Sequence, residues 1–206
     1  MNKISWIFFD VGSTLVDETK AYDHRVFDMI EGTNITFEEF DKKRKELATL
    51  GYDGNSAAIS FFGLSKTPWH TEEEVLYSDA EAALKQLKKS GYHLGIIANQ
   101  EAGLNERLEK WGIIQYFDII VSSSEVGVLK PDIRIFRKAI MKANCRPEEC
   151  IMIGDRLDND IIPAGSIGMK TVWIKNGLSK LQKDSYGTKY ANCIIYNLAE
   201  ICDIFG

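Results

Sequence analysis

A carboxylate, a glycine and two hydroxyl residues stand together near the start of the chain, in the run DVGST that begins at Asp10. This run follows an apolar segment, residues 4–9, that is typical of a buried strand. A carboxylate at the carboxyl end of such a strand lies where open α/β sheets bind their ligands. Gly12 permits a sharp turn, after which Ser13 and Thr14 can aim backbone N–H groups at an anion. The run therefore predicts phosphate chemistry, either attack by Asp10 on phosphorus or the phosphate-binding loop of an ATPase.

Other side chains suited to phosphate chemistry follow later apolar segments. Asn99 ends one such segment, and Lys130 follows another after a short loop. Asp155 and Asp160 come after a third segment. Because the carboxyl ends of parallel strands meet at one edge of a sheet, we expect these residues to share a crevice with Asp10. Carboxylates suit Mg²⁺, which also takes water and phosphate oxygens, and a lysine supplies compact positive charge for a phosphoryl group.

The segments that carry these residues alternate between helix and strand after residue 75. Strands are predicted for the apolar segments at 94–98, 117–121, 150–153, 171–174 and 193–196. Helices are predicted between them, and Pro131 is expected to open one of these helices. Near-continuous apolar strands that alternate with helices are typical of a parallel sheet covered on both faces. We therefore expect an α/β fold with a doubly wound, Rossmann-like parallel sheet.

The early part of the chain has a different pattern. It contains no convincing run of β-branched residues, and helices are expected near 20–31, 36–50 and 55–63. This pattern favours a small α-helical cap domain at 17–75. The core domain would then comprise residues 1–16 and 76–206.

Composition limits the classes of partner. The chain has 206 residues with a formal net charge of −5, which argues against nucleic acid or an anionic membrane as the main partner. The four cysteines form no C-x-x-C pair, which favours reduced thiols. We find no signal peptide and no apolar run near the ~20 residues that a membrane span requires. A cytoplasmic protein is therefore expected.

Motifs in a specific order give the chain a family resemblance. It resembles the hydrolases of the haloacid dehalogenase superfamily that carry a small helical cap after the first strand. The matching segments are residues 8–15 (FFDVGSTL), 130–132 (KPD) and 154–160 (GDRLDND). Residues 76–97 also resemble the segment that leads into the family's second motif. Each segment is weakly informative alone, whereas their order and spacing together are highly specific.

This resemblance implies a catalytic pair and a metal site. Asp10 would attack phosphorus and form an aspartyl-phosphate that water then hydrolyses. Lys130 would pair with Asp10 and with the phosphoryl oxygens. Mg²⁺ would be held by Asp10, the backbone carbonyl of Gly12 and Asp155, with support from Asp160 directly or through water.

The resemblance also implies contacts to the substrate. Ser13 and Thr14 would contact the phosphoryl group, chiefly through their backbone N–H groups, and Asn99 would lie beside it. The substrate would be a small phosphorylated metabolite. Neither its identity nor the oligomeric state can be derived from the sequence.

Two positions depart from the family pattern. Gly12 stands where phosphatases of this family usually carry an aspartate as general acid and base, a function worth about 10²–10⁴-fold in rate. Asp17 and Glu18 are both near enough in sequence to replace that acid, and the sequence does not choose between them. Ala98 stands where the family usually has a serine or threonine. An enzyme without a general acid is expected to prefer aryl and acyl phosphates, and Gly12→Asp is expected to raise its turnover of alkyl phosphates.

Two functions are therefore carried forward. The first is a Mg²⁺-dependent phosphatase of small phosphorylated metabolites that acts through an aspartyl-phosphate. The alternative is a catalytically weakened protein of the same fold that binds phosphate or regulates. An actin-like or sugar-kinase-like ATPase fits poorly, because a helical segment rather than a β-hairpin follows the first motif. A true dehalogenase also fits poorly, because Asp155 keeps a metal site that halide displacement does not need.

Overall fold

A computed structural model describes residues 3–205, and its centre is a six-stranded parallel sheet. The strands of the chain are Trp6–Phe9 (β1), Val16–Asp17 (β2), Val75–Leu76 (β3), His93–Ala98 (β4), Ile119–Ser122 (β5), Cys150–Gly154 (β6), Lys170–Ile174 (β7) and Cys193–Ile195 (β8). The sheet has the order β5-β4-β1-β6-β7-β8, and each neighbouring pair is parallel. The expected doubly wound α/β fold is confirmed.

Helices cover both faces of this sheet. They are Thr19–Ile30 (α1), Phe37–Thr49 (α2), Gly54–Phe62 (α3), Ala80–Lys89 (α4), Leu104–Lys110 (α5), Ser123–Val126 (α6), Ile133–Ala143 (α7), Ile162–Ser166 (α8), Asp184–Gly187 (α9) and Ala199–Phe205 (α10). Ile7 and Phe9 of β1 pack with α4, α5 and α10 on one face. Phe8 packs with α7 and α8 on the other face. Because both faces are covered, every residue of β1 is buried, which explains its unbroken apolar sequence.

Helices α1, α2 and α3 pack around an apolar cluster of their own. The buried members of this cluster are Val26, Met29, Phe40, Ala58 and Ile59. The three helices lie within two residues of the predicted bounds. The antiparallel pair of β2 and β3, in which Val16 pairs with Leu76 and Asp17 with Val75, joins the two chain segments that enter and leave this helical unit. Sequence periodicity does not reveal strands of two residues.

The start of α7 differs from the prediction. Pro131 does not open this helix, which begins at Ile133. Asp132 is its N-cap residue, and its carboxylate accepts a hydrogen bond from the N–H of Arg134 at 2.9 Å. An aspartate at this position satisfies a helix N–H group that otherwise has no partner.

The longest helices of residues 3–205 are short for a membrane span. None of them combines the length and the apolar character that crossing a bilayer requires.

Candidate active site

The end of β1 and the loops after β5 and β6 meet at one edge of the sheet. Asp10 follows β1, and its Oδ1 accepts a hydrogen bond from Lys130 Nζ at 2.6 Å. The same Nζ donates to Asp160 Oδ1, also at 2.6 Å. The Lys130 side chain is 1% exposed, whereas that of Asp10 is 13% exposed. The lysine is therefore held inside the protein between two carboxylates, and only Asp10 of the pair faces a cavity.

The charge of Lys130 is maintained by these two partners. Burial by itself lowers the pKa of Lys130, but the Asp10 and Asp160 carboxylates outweigh it and raise that pKa above its ordinary value. Lys130 is therefore a permanent cation beside Asp10 at neutral pH.

A π-helical turn after β6, Leu157–Ile161, brings Asp160 back against the end of its own strand. Its Oδ2 accepts a hydrogen bond from the N–H of Arg156 at 3.1 Å. Gly154 makes this approach possible, because a Cβ atom there would lie 2.5 Å from Asp160 Cβ. Both carboxylate oxygens of Asp160 thus have a donor, which makes this residue the anchor for Lys130.

Asp155 completes a group of three carboxylates. Oxygens of Asp10, Asp155 and Asp160 lie within 4.8 Å of one another. Burial, followed by repulsion from Asp160 and Asp10, raises the pKa of Asp155 well above its usual range. Lys130 donates to Asp10 and Asp160, and the Arg156 guanidinium group offsets only part of the repulsion at Asp155, so acidic groups dominate this point. Hard oxygen donors with surplus negative charge fit a divalent cation such as Mg²⁺.

The turn after Asp10 uses its backbone donors differently from the prediction. The N–H of Ser13 donates to Val16 O at 2.8 Å, and that of Thr14 donates to Val11 O at 3.3 Å. Both groups are therefore engaged within the turn and do not point at an anion. Within residues 3–205, the N–H groups of Val11 and Gly12 have no backbone acceptor.

Two predicted substrate contacts have internal roles. The side chain of Thr14 is fully buried, and within the described chain its hydroxyl has no hydrogen-bond partner. The side-chain amide of Asn99 donates to Lys130 O at 2.9 Å and accepts from the N–H of Lys130 at 2.7 Å. Asn99 thus positions Lys130 through both ends of its amide. It also lines the cavity, so its contact with substrate stays a prediction. Ser13 lines the cavity as well, and its hydroxyl donates a hydrogen bond to the Glu18 carboxyl group.

Glu18 is one of the two acids that the sequence left open as replacements for the acid missing at Gly12, and it lines the site. It precedes α1 as the N-cap residue, but its side chain does not cap the helix. Burial, followed by the nearby Asp10 and Glu74 carboxylates, raises the pKa of Glu18 to about 8. Asp17, the other candidate, instead accepts hydrogen bonds from the N–H and the hydroxyl of Thr19, at 2.9 Å and 2.6 Å.

A cavity of about 330 Å³ opens over these residues. Asp10, Glu18 and Asp155 line its floor, and Tyr22 and Lys66 from the helical unit line it from the other side. This volume lies at the lower end of the range for small-molecule sites, about 300–1,000 Å³. The cavity therefore suits a small polar ligand.

The order of the motifs, the fold and the arrangement of the site residues match one known family. A family model described as haloacid dehalogenase-like hydrolase matches residues 7–174. The chain belongs to the haloacid dehalogenase-like hydrolase family. The family and the hydrolase class expected from the motifs are thereby confirmed.

Relatives of this haloacid dehalogenase-like hydrolase align along most of its length. A glyceraldehyde 3-phosphate phosphatase from Pyrococcus furiosus is 31% identical and covers 99% of this chain and 94% of its own. One of the same name from Methanothermobacter thermautotrophicus is 30% identical and covers 86% of this chain and 88% of its own. The crystal structure of a HAD phosphatase from Thermococcus onnurineus has a TM-score of 0.69 at 24% identity, with 98% of both chains covered. That structure shares the fold of this hydrolase.

Proposed function

We propose that this hydrolase is a Mg²⁺-dependent phosphatase of small phosphorylated metabolites that works through an aspartyl-phosphate. The observation that carries the proposal is Asp10, a carboxylate 2.6 Å from a buried lysine and open to a cavity on its other side. An aspartate in this setting can attack phosphorus, because its charge is balanced while an oxygen stays accessible.

Each residue of the site has a separate role in this proposal. Asp10 supplies the attacking oxygen, and Lys130 offsets negative charge on the attacked phosphoryl group. Asp160 and Asn99 hold Lys130 in place from its two ends, through the ammonium group and through the backbone. Such positioning and electrostatic stabilisation are the main protein contributions to phosphoryl transfer.

Asp10, the Gly12 carbonyl and Asp155 would hold the metal in this proposal, with Asp160 behind them. When bound, Mg²⁺ supplies positive charge that stabilises the transferring phosphoryl group.

Residues 17–75 act as the cap in this proposal. Arg156 of the core loop binds Asp53, the N-cap residue of α3, at 2.8 Å. Tyr22 and Lys66 bring a phenol and an ammonium group to the cavity that Asp10 lines. The cap therefore restricts the size of the substrate and can contact the part that carries the phosphate. The small cavity and the relatives named as glyceraldehyde 3-phosphate phosphatases both favour a phosphorylated metabolite of a few carbon atoms.

Purified protein tests the proposal directly. We expect release of inorganic phosphate from a panel of small phosphate esters in the presence of Mg²⁺. EDTA should stop it, and Asp10→Asn should abolish it because an amide is a poor nucleophile. Full activity of Asp10→Asn would contradict an aspartyl-phosphate mechanism.

The same panel separates the alternative function. Ala98 leaves the end of β4 buried and without a hydroxyl group, which favours weak catalysis. Binding of a phosphate ester by calorimetry, with no turnover on any substrate, would favour a phosphate-binding or regulatory protein.

A further inference from the structure

Gly12 is a glycine for reasons of space. Its φ angle is not positive, whereas the next residue, Ser13, takes a φ of 52° in the left-handed region. A left-handed backbone is therefore not the reason for a glycine at position 12. A Cβ atom built on Gly12 would overlap Glu18 Oε1 and lie 2.5 Å from Glu18 Cδ and 2.6 Å from Oε2. The carboxyl group of Glu18 thus occupies the volume into which a side chain at position 12 would extend.

The position of this carboxyl group matters because an acid at position 12 is the group that the chain lacks. Glu18 is the N-cap residue of α1, and its carboxyl group lies at the position where a Cβ of residue 12 would be. It lines the cavity together with Asp10. Asp17 is not among the residues that line this cavity, and its Oδ1 accepts two hydrogen bonds from Thr19.

We propose that Glu18 is the catalytic residue that gives and takes the proton during phosphate ester hydrolysis, in place of the side chain missing at Gly12. This inference rests on the proposed phosphatase function. It removes the expectation that the enzyme is limited to aryl and acyl phosphates.

The two half-reactions balance with a single carboxyl group. In the first, an Asp10 oxygen bonds to phosphorus and the bond from phosphorus to the ester oxygen breaks. Protonated Glu18 gives its proton to that oxygen, so the alcohol leaves neutral and Glu18 becomes a carboxylate. In the second, a water oxygen bonds to phosphorus and the bond from phosphorus to Asp10 breaks. Glu18 takes a proton from this water, which releases inorganic phosphate and restores both side chains.

Glu18→Gln tests the proposal when two substrates are compared, one whose leaving group needs a proton and one whose leaving group does not. With p-nitrophenyl phosphate, whose phenolate leaves without a proton, we expect a first-turnover burst of p-nitrophenol followed by slow steady-state release. With glycerol 3-phosphate, whose alkoxide needs a proton, we expect the first turnover to slow by about 10²–10⁴-fold. Asp17→Asn, the same charge change one residue earlier, should leave both rates unchanged.

The phosphoenzyme gives a readout besides turnover. Mass spectrometry of Glu18→Gln mixed with p-nitrophenyl phosphate should show one added phosphoryl group, because hydrolysis of the aspartyl-phosphate lacks its base. Equal slowing of the first turnover on both substrates, without a phosphoenzyme, would mean that Glu18 has a structural role and would overturn the proposal.

Gly12→Ala provides a second variant that keeps Glu18 in the chain. The new methyl group should push the flexible Glu18 carboxyl group aside and reproduce the loss on glycerol 3-phosphate. Adding Glu18→Gln should cause little further loss. Gly12→Asp combined with Glu18→Ala should recover much of that activity, because one acid again fills the same volume. Full alkyl phosphatase activity in Gly12→Ala would contradict the proposal.

Asp10→Asn separates the two levels of inference. If Asp10→Asn remains active, the proposed function fails. If Asp10→Asn is inactive while Glu18→Gln keeps full activity on glycerol 3-phosphate, the function stands and the role of Glu18 is wrong.

Discussion

Lys130 shows how a single residue links the stability of this fold to its chemistry. Its side chain is 1% exposed, and its ammonium group binds two carboxylates that follow different strands. Removing a charge from water is costly, and the cost is recovered only when partners surround it. The lysine therefore both orders the sheet edge and balances the charge of Asp10.

Lys130→Met tests this double role. The substitution leaves two acids facing each other without a cation, so we expect the free energy of unfolding to fall by about 3–5 kcal/mol. Activity should be lost as well. Urea denaturation in the absence of metal measures the change. Lys88→Met is the matched control, because Lys88 pairs with Asp118 at 2.8 Å on the surface and such pairs contribute at most about 1 kcal/mol. An equally small change for Lys130→Met would show that the buried pair does not stabilise the fold.

At the scale of elements, a loop of the sheet contacts the unit formed by α1, α2 and α3, which is the proposed cap. Arg156 follows β6, and its guanidinium group binds both its neighbour Asp158 and Asp53 at the start of α3. The N-cap of α2, Thr36, forms a complete capping box with Glu39, so this helix does not depend on the core for its beginning. The ion pair between Arg156 and Asp53 therefore joins the helical unit to the sheet, whereas the capping box stabilises the start of α2 locally.

Asp53→Asn probes the contact between core and cap. An amide can still cap α3 but loses the ion pair with Arg156, so we expect KM to rise with little change in kcat. The rise should be at most about fivefold, because a partly exposed ion pair contributes at most about 1 kcal/mol. Steady-state kinetics at low and high salt measure it, and the difference from the unmodified enzyme should shrink as salt screens the pair. Arg146→Gln, which breaks a remote surface pair with Glu149, is the control. A loss of kcat without a change in KM would argue against a role of this contact in substrate binding.

For the whole molecule, the sheet gathers more negative than positive charge at one edge. Asp155 is crowded by two other carboxylates, and repulsion at this point opposes folding of the metal-free protein. A cation bound there should stabilise the folded state by mass action, by an amount that grows with the logarithm of its concentration relative to its Kd. The proposed metal is therefore part of the stability of the protein as well as of its chemistry.

Thermal unfolding of Asp155→Asn separates the repulsion between carboxylates from the stabilisation by bound metal. We expect Mg²⁺ to raise the Tm of the unmodified protein in a concentration-dependent way. Asp155→Asn should have a higher Tm than the unmodified protein without metal, because one of the repelling charges is gone, and it should respond weakly to Mg²⁺. Asp118→Asn, at an acid far from the site, should keep the full response. A Tm that does not depend on Mg²⁺ in the unmodified protein would contradict the metal site.

Local patterns in the chain were enough to predict the parallel sheet, the helices near 20–63 and the shared position of Asp10, Lys130, Asp155 and Asp160. Strand ends of a parallel sheet must meet at one edge, so the placement of these four residues follows from which strands exist. The direction of individual side chains does not follow from such patterns. Asn99 turns to the Lys130 backbone, and the Ser13 N–H turns inward to Val16.

Gly12 shows the same division most clearly. The sequence shows that position 12 lacks the acid that the family usually has. No spacing rule relates position 12 to a glutamate six residues later on another element. The Glu18 carboxyl group reaches the space beside Gly12 because the hydrogen-bonded turn at residues 11–16 brings the chain back to Gly12 before α1 begins. The sequence alone shows that the motif lacks an acid. The residue that takes the place of this acid is identified only in the folded structure, because it belongs to another element.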